Sequence, residues 1–304
     1  MSDVIWALVP VFLLIGLGLG LRRADFPGNA FWEPLERLIY FLLFPALLVR
    51  SLAEARFDLV ALAPMLAAVL GGLLILSAVL VVIRPLLAVS GPAFTSVFQG
   101  AIRFNTYVAL GSAGPLFGSD GVAMLAVVLA LTIPTINVLC VLVLTRFGEG
   151  RSNGWGASFL EMARNPLIIA CLTGIFLNLT GIGMPRLLSI LLKPLGDASL
   201  AFGLLAVGAA LRFTAMRGAG QAVLVACGFK LLFLPLVVVG LAALFGVSAL
   251  ALKVAILYAA MPTAPSAYIL AARLGGDAAL MAGLITAETL VAVVTLPAML
   301  TLLA

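Results

Sequence analysis

Apolar runs of membrane length follow one another along nearly the whole chain, interrupted only by single charges and by Gly or Pro clusters. A helix needs about 20 apolar residues to cross a hydrocarbon core of roughly 30 Å, and within that core only helices or closed barrels satisfy their own backbone polar groups. Hydrophobic residues make up 64% of the 304 positions and charged residues 10%. That leaves too little polar surface for a water-soluble globule. The chain reads as a multi-pass integral membrane protein whose mass lies in the lipid bilayer. Its first run, Val4 to Leu21, has no basic segment before it, contains Pro10 and several glycines, and is followed by Arg22 and Arg23. It reads as a retained helix and not a cleaved signal peptide.

The net charge of +5 would suit nucleic acid if the basic residues clustered, but the arginines are scattered singly through short loops. They serve better as topology signals, and no nucleic-acid partner is expected. Cys140, Cys171 and Cys227 lie in apolar runs, where a thiol behaves as a small hydrophobe. The chain has no histidine, which removes the commonest metal ligand and general base. No Gly-rich phosphate loop precedes a helix in an aqueous region, and no two carboxylates share a face. An enzyme, a metal and a cofactor are therefore not expected.

Dividing the runs at charge, Gly and Pro clusters gives ten candidate helices near 3–21, 32–51, 59–83, 92–117, 121–146, 164–183, 187–211, 219–244, 248–273 and 278–303. The one polar-rich break, Arg146 to Arg164, separates residues 1–150 from 151–304, five helices from five. An odd number per half forces the halves into opposite orientations, so a repeat here is inverted. At a constant offset of 157, Thr106 falls on Thr263, Gly118 on Gly275, Asp120 on Asp277, Met124 on Met281 and Thr132 on Thr289. Arg22, Arg23, Arg84, Arg146, Arg151, Arg164, Arg212, Arg217 and Arg273 fall in one set of connections and Arg50, Arg56 and Arg186 in the other. The bias of about three to one favours both termini outside the cytoplasmic membrane.

Polar residues inside these runs are the site candidates. Arg103 and Asn105 lie near the centre of the fourth run, where a charge costs roughly 2.5 to 3.5 kcal/mol and usually faces a partner, a cavity or a ligand. Asn105 tolerates a left-handed backbone and caps a half-helix starting at Thr106. The ninth run is interrupted by Pro262 and Pro265, which remove amide donors and free carbonyls near Tyr258 and Met261, with Thr263 between them. Interrupted segments at corresponding positions of two halves point to the binding site of a secondary transporter. If the breaks cross, two half-helix N-termini aim partial positive charge into one cavity, which suits an anion. The competing reading is that the interruptions are packing kinks and that Arg103 snorkels to an interface. Glu288 lies too deep in the last run to snorkel; it either exchanges a proton, is the fixed partner of a cation, or lines an oligomer surface. Lys193 and Asp197 are spaced for an i,i+4 pair. Lys230, deep in the eighth run, has no evident local partner.

In the order and spacing of Arg103-Phe-Asn-Thr106 leading to Phe117-Gly118, of Leu200 to Leu211, of Met261-Pro262 leading through Ala271 to Gly276-Asp277, and of Thr295-Leu-Pro297, the whole chain resembles the auxin efflux carrier family. That family contains plant PIN carriers and bacterial permeases for malonate, malate and related organic acids. The resemblance implies an all-α fold of ten transmembrane helices in two inverted five-helix repeats with broken, crossed helices 4 and 9, shared with bile acid and sodium-proton transporters. It places family binding residues at Asn105 and Pro262. The chain departs from the plant carriers in its short central connection, so regulation by phosphorylation there is not carried over. It also has Glu288 where many relatives carry small hydroxyl residues, so neither substrate nor coupling transfers directly.

Taken together, these features lead to a secondary transporter that moves a small organic anion, a carboxylate, by alternating access. Arg103, Asn105, Thr106, Pro262 and Thr263 are the substrate-binding candidates, and Glu288, Asp197 and Lys230 the coupling or ion-pair candidates. Proton coupling and a homodimer stay open. A sodium-coupled symporter of the bile acid type is the alternative, disfavoured because Met261 to Tyr268 contains no acidic residue. A non-transporting membrane sensor or scaffold is the third reading.

Overall fold

The computed structural model describes residues 2–55, 59–149, 164–216 and 220–303, and among them it is all-helical. Among the described residues, six helices are long and apolar enough to cross a membrane: Asp3–Arg23, Ala61–Leu86, Gly91–Phe147, Arg186–Ala210, Gly220–Leu244 and Ala278–Leu302. Two shorter apolar helices, Pro166–Leu179 and Ala249–Ala259, join them. The expected boundary between the halves at 150/151 and Arg56, Arg151 and Arg217 of the topology count lie outside the described residues.

The segments that depart from a straight span do so for local reasons. Gly91–Phe147 has 57 residues, far more than one crossing at about 1.5 Å rise per residue. It is interrupted at 103–105, which separates α5 (Gly91–Ile102) from α6 (Thr106–Phe147), and it turns again at Gly118, whose φ of 67° and ψ of −162° are open essentially only to glycine. The expected span 32–51 is α2 (Trp32–Leu38), a π-helical turn (Ile39–Leu43) and α3 (Phe44–Ala53). A second π turn, Phe229–Phe233, joins α9 (Gly220–Gly228) to α10 (Leu234–Leu244). Pro45 and Pro235 follow these turns and have no amide to give the carbonyls four residues earlier, at Phe41 and Leu231, so the ladder widens there.

The remaining helices are α1 (Ser2–Arg23), α4 (Leu59–Ile83), α7 (Pro166–Leu179), α8 (Arg186–Ala210), α11 (Ala249–Ala259), α12 (Ser266–Leu274) and α13 (Ala278–Leu302). Helices α1 and α8 pack backbone to backbone. A Cβ at Gly208 would run into the Ile15 carbonyl, and one at Gly18 into the Leu205 carbonyl, so glycine sets how closely these helices approach. Helix α7 closes the end of α3, because the Asn178 amide donates to the carbonyls of Leu52 at 3.1 Å and Ala55 at 2.6 Å. The interior is filled by aliphatic and aromatic side chains such as Phe44, Phe94, Phe98 and Tyr258. Trp6, Val82, Leu187, Leu224, Leu244 and Val294, each more than 70% exposed, point outward. An apolar exterior of this extent fits lipid, not water.

Candidate functional site

The break in the fourth run begins where α5 ends, at Arg103, whose amide donates to the Gln99 carbonyl at 2.9 Å. Asn105 caps α6: its side-chain oxygen accepts from the amides of Tyr107 at 3.0 Å and Val108 at 3.2 Å. Two of the four donors that a helix start leaves without partners are met in this way. The backbone at Asn105 is extended, with φ −87° and ψ 100°, so the left-handed conformation expected from its residue type is not used. A capping side chain is most often presented from this extended region.

The ninth run breaks between α11 and α12, at Ala260 to Pro265. Here the expected release of carbonyls is corrected in one respect. The Tyr258 carbonyl is taken up by the Met261 amide at 3.4 Å, while the carbonyl directed out of the break is that of Pro262 itself. It accepts from the Asn105 amide at 2.7 Å. The two interruptions therefore touch through their backbones. Thr263 adds a second link, its hydroxyl donating to the Gly100 carbonyl at 2.5 Å and more weakly to the Arg103 carbonyl at 3.4 Å.

Arg103 and Glu288 lie on different sides of this junction. One guanidinium nitrogen of Arg103 donates to the Asn137 side-chain oxygen at 3.0 Å and the buried Cys140 thiol interacts with the same guanidinium, while the other terminal nitrogen is buried with no hydrogen-bond partner of its own. Arg103 is half-buried, as are Thr106, Tyr107, Asn137 and Tyr40, the last of which feels its charge. Glu288 is fully buried in α13 and accepts from the Thr263 amide at 2.9 Å through one oxygen; the other oxygen has no partner. No ion pair among the described residues joins Arg103 to Glu288.

A second cation, Lys230, lies on an element packed against the helix of Glu288, with no ion pair within 4.0 Å between the two. It extends from the second π turn, is fully buried, has no hydrogen-bond partner, and stands 5.9 Å from the centroid of the Tyr258 ring. Glu288 is the charge that acts on it. The two lie 58 residues apart in sequence, on α13 and on the π turn that packs against it. Asp197 is elsewhere: it pairs with Lys193 at 2.7 Å on an exposed face and lies 4.0 Å from Arg50. It does not reach the junction.

Asn137, Tyr40, Gln99 and Tyr258 belong to the site but were not candidates from sequence. Asn137 and Gln99 carried a readable signal, an amide inside an apolar run, and Gln99 is fully buried with both side-chain polar atoms unpartnered. Tyr40 and Tyr258 carried none, because tyrosine is common where one end of a ring is apolar and the other wet. A surface cleft of about 430 Å³ opens where α5, α9 and α13 begin, lined in part by Val89, Ala93, Gln221, Asp277 and Leu280. None of the junction residues lines it.

No curated protein matches the chain. A family model described as membrane transport protein matches residues 156–300, a stretch that holds Lys230, Pro262, Thr263 and Glu288. Over that stretch, somewhat under half of the chain, the protein is similar to membrane transport proteins of the auxin efflux carrier family.

Proposed function

We propose that this protein is a secondary active transporter of a small organic anion, a carboxylate, and that the junction of the two breaks is where the anion binds. The observation that carries the reading is the half-used guanidinium of Arg103, beside the capped start of α6. Asn137 holds one arm of the planar fork, and the free arm supplies a directed donor for a carboxylate oxygen. The N-termini of α6 and α12, at Thr106 and Ser266, add partial positive charge. Asn105 and Pro262 act by holding the two breaks together, and Thr106 and Thr263 are further polar contacts.

In this reading the chain forms ten crossings as two inverted five-helix repeats divided at 150/151, with both termini outside the cytoplasmic membrane. Alternating access moves one part of the bundle against the other around the junction. Of the roles open to Glu288, the fixed partner of a cation is supported by Lys230. Proton exchange at Glu288 is the competing role; the sodium-coupled symporter is the second reading, and the observation on its side is the carboxylate that Glu288 brings to the second break from a distant helix.

The test is uptake into proteoliposomes of a panel of labelled carboxylates and their neutral amides, with and without sodium or pH gradients. Saturable uptake of one or more carboxylates and none of the amides is expected. Transport of amides and acids alike would remove the role assigned to Arg103.

A further inference from the structure

The sealed side of the junction holds chemistry that the anion reading leaves unused. Glu288 directs one carboxylate oxygen at the Thr263 amide and leaves the other against Gly100, where a Cβ would lie only 3.2 Å from it. No side chain at position 100 fills that space. The Gly100 and Arg103 carbonyls are oriented into the same junction, since both accept from Thr263. Lys230 lies on the turn packed against the helix of Glu288, four residues after Ala226, whose Cβ borders Gly100 together with that free oxygen; its ammonium is fully buried, makes no hydrogen bond and forms no ion pair within 4.0 Å.

An unpaired ammonium or carboxylate inside a bundle costs several kcal/mol, so each of these groups is tolerable chiefly because the other is present. Lys230 also stands over the Tyr258 ring, whose face favours a cation. Its stem leaves the backbone in a π turn, a distortion that commonly marks a functional position. A carboxylate and backbone carbonyls at a helix break are the donor set that hard cations take in water-poor sites. Here the chain supplies the cation itself.

We propose that Lys230 is a tethered counter-cation: its ammonium does for Glu288 what a free monovalent cation would otherwise do, and removing it converts the second break into a monovalent-cation site. The carrier then has no need of sodium, although its second break carries the carboxylate such a need would use. Anion binding at Arg103 is not required for this to hold, and the readout below involves no transport, so the two proposals fail separately.

The test is thermal unfolding of the purified protein in sodium, lithium, potassium or choline chloride at equal ionic strength. Wild type is expected to show the same Tm in all four salts. Lys230→Ala and Lys230→Gln are expected to unfold at lower temperature in choline and to regain several degrees in at least one of the three small cations. The charge-neutral double variant Lys230→Met with Glu288→Gln should fold and show no cation response. A sodium-specific rise in wild type would overturn the proposal. So would a failure of both single variants to respond to, or to be recovered folded in, any of the small cations.

Discussion

The two sides of the junction solve the problem of charge inside a membrane protein differently. On one side Arg103 is half-buried, held by a neutral amide and left with a free donor. On the other, Glu288 and Lys230 are fully buried on elements that pack together, and no described group besides Thr263 hydrogen-bonds either charge. A cation held by a neutral partner keeps its charge for something that arrives from outside. A cation buried with a carboxylate spends that charge within the protein. The difference assigns ligand binding to the first side and internal neutralisation to the second, and the two should separate under mutation.

The largest effect is expected at Arg103. Arg103→Ala should abolish carboxylate transport while leaving Tm nearly unchanged, because the partner it releases, Asn137, is neutral and half-buried. Arg103→Lys should restore only part of the activity, since an ammonium lacks the planar fork. A variant in which alanine transports as well as wild type would erase the distinction between the two sides.

On the sealed side the expected effect falls on stability. Glu288→Gln or Lys230→Met alone should cost about 3 kcal/mol or more, as for a buried charge that loses its counter-charge. The double change should recover most of it, read as a positive coupling energy in a double-mutant cycle of denaturation midpoints. Additive losses would mean that the two charges do not compensate each other. If Glu288→Gln instead leaves stability intact and removes only the response of uptake to an imposed pH gradient, Glu288 is a proton carrier and the comparison is wrong on this side.

Asn105→Ala should cost about 1 kcal/mol through the lost cap, a smaller effect spread over both sides. Asp197→Asn sets the baseline. Its pair with Lys193 is exposed, at 57% and 60%, and its loss should change stability by no more than about 0.5 kcal/mol. A larger effect there would show that surface pairs matter more in this bundle than its buried ones suggest.

The Arg103 side was largely legible in the sequence and the Glu288 side was not, for a physical reason. Arg103, Asn105, Pro262 and Pro265 stand out because each is costly or disruptive within its own apolar run, and a local cost can be read locally. The pairing of Lys230 with Glu288 depends on which faces of two separate helices meet, and helical periodicity places residues only within one helix. The lack of an acidic residue in Met261 to Tyr268 counted against a cation site at the second break. The fold supplies one from α13. The glycines aligned at the offset of 157, Gly118 and Gly275, both have positive φ, at 67° and 73°. The expected spans 92–117 and 248–273 stop just short of them, and Gly275 does end α12 in a left-handed cap, followed by Asp277 capping α13 through the Leu280 amide. Gly118 likewise separates two helical stretches, 106–117 and 119–147, with non-helical backbone angles. The π turns were not foreseen, although Pro45 and Pro235 were visible, because a proline fixes which bond is lost and not how the backbone absorbs the loss.

The most direct measurement is equilibrium binding of a labelled transported carboxylate to three purified proteins: wild type, Arg103→Ala, and the charge-neutral pair Lys230→Met with Glu288→Gln. Wild type and the charge-neutral pair are expected to bind with similar affinity and Arg103→Ala not at all. Undiminished binding by Arg103→Ala, together with loss of binding in the charge-neutral pair, would put the anion on the sealed side and contradict the assignment.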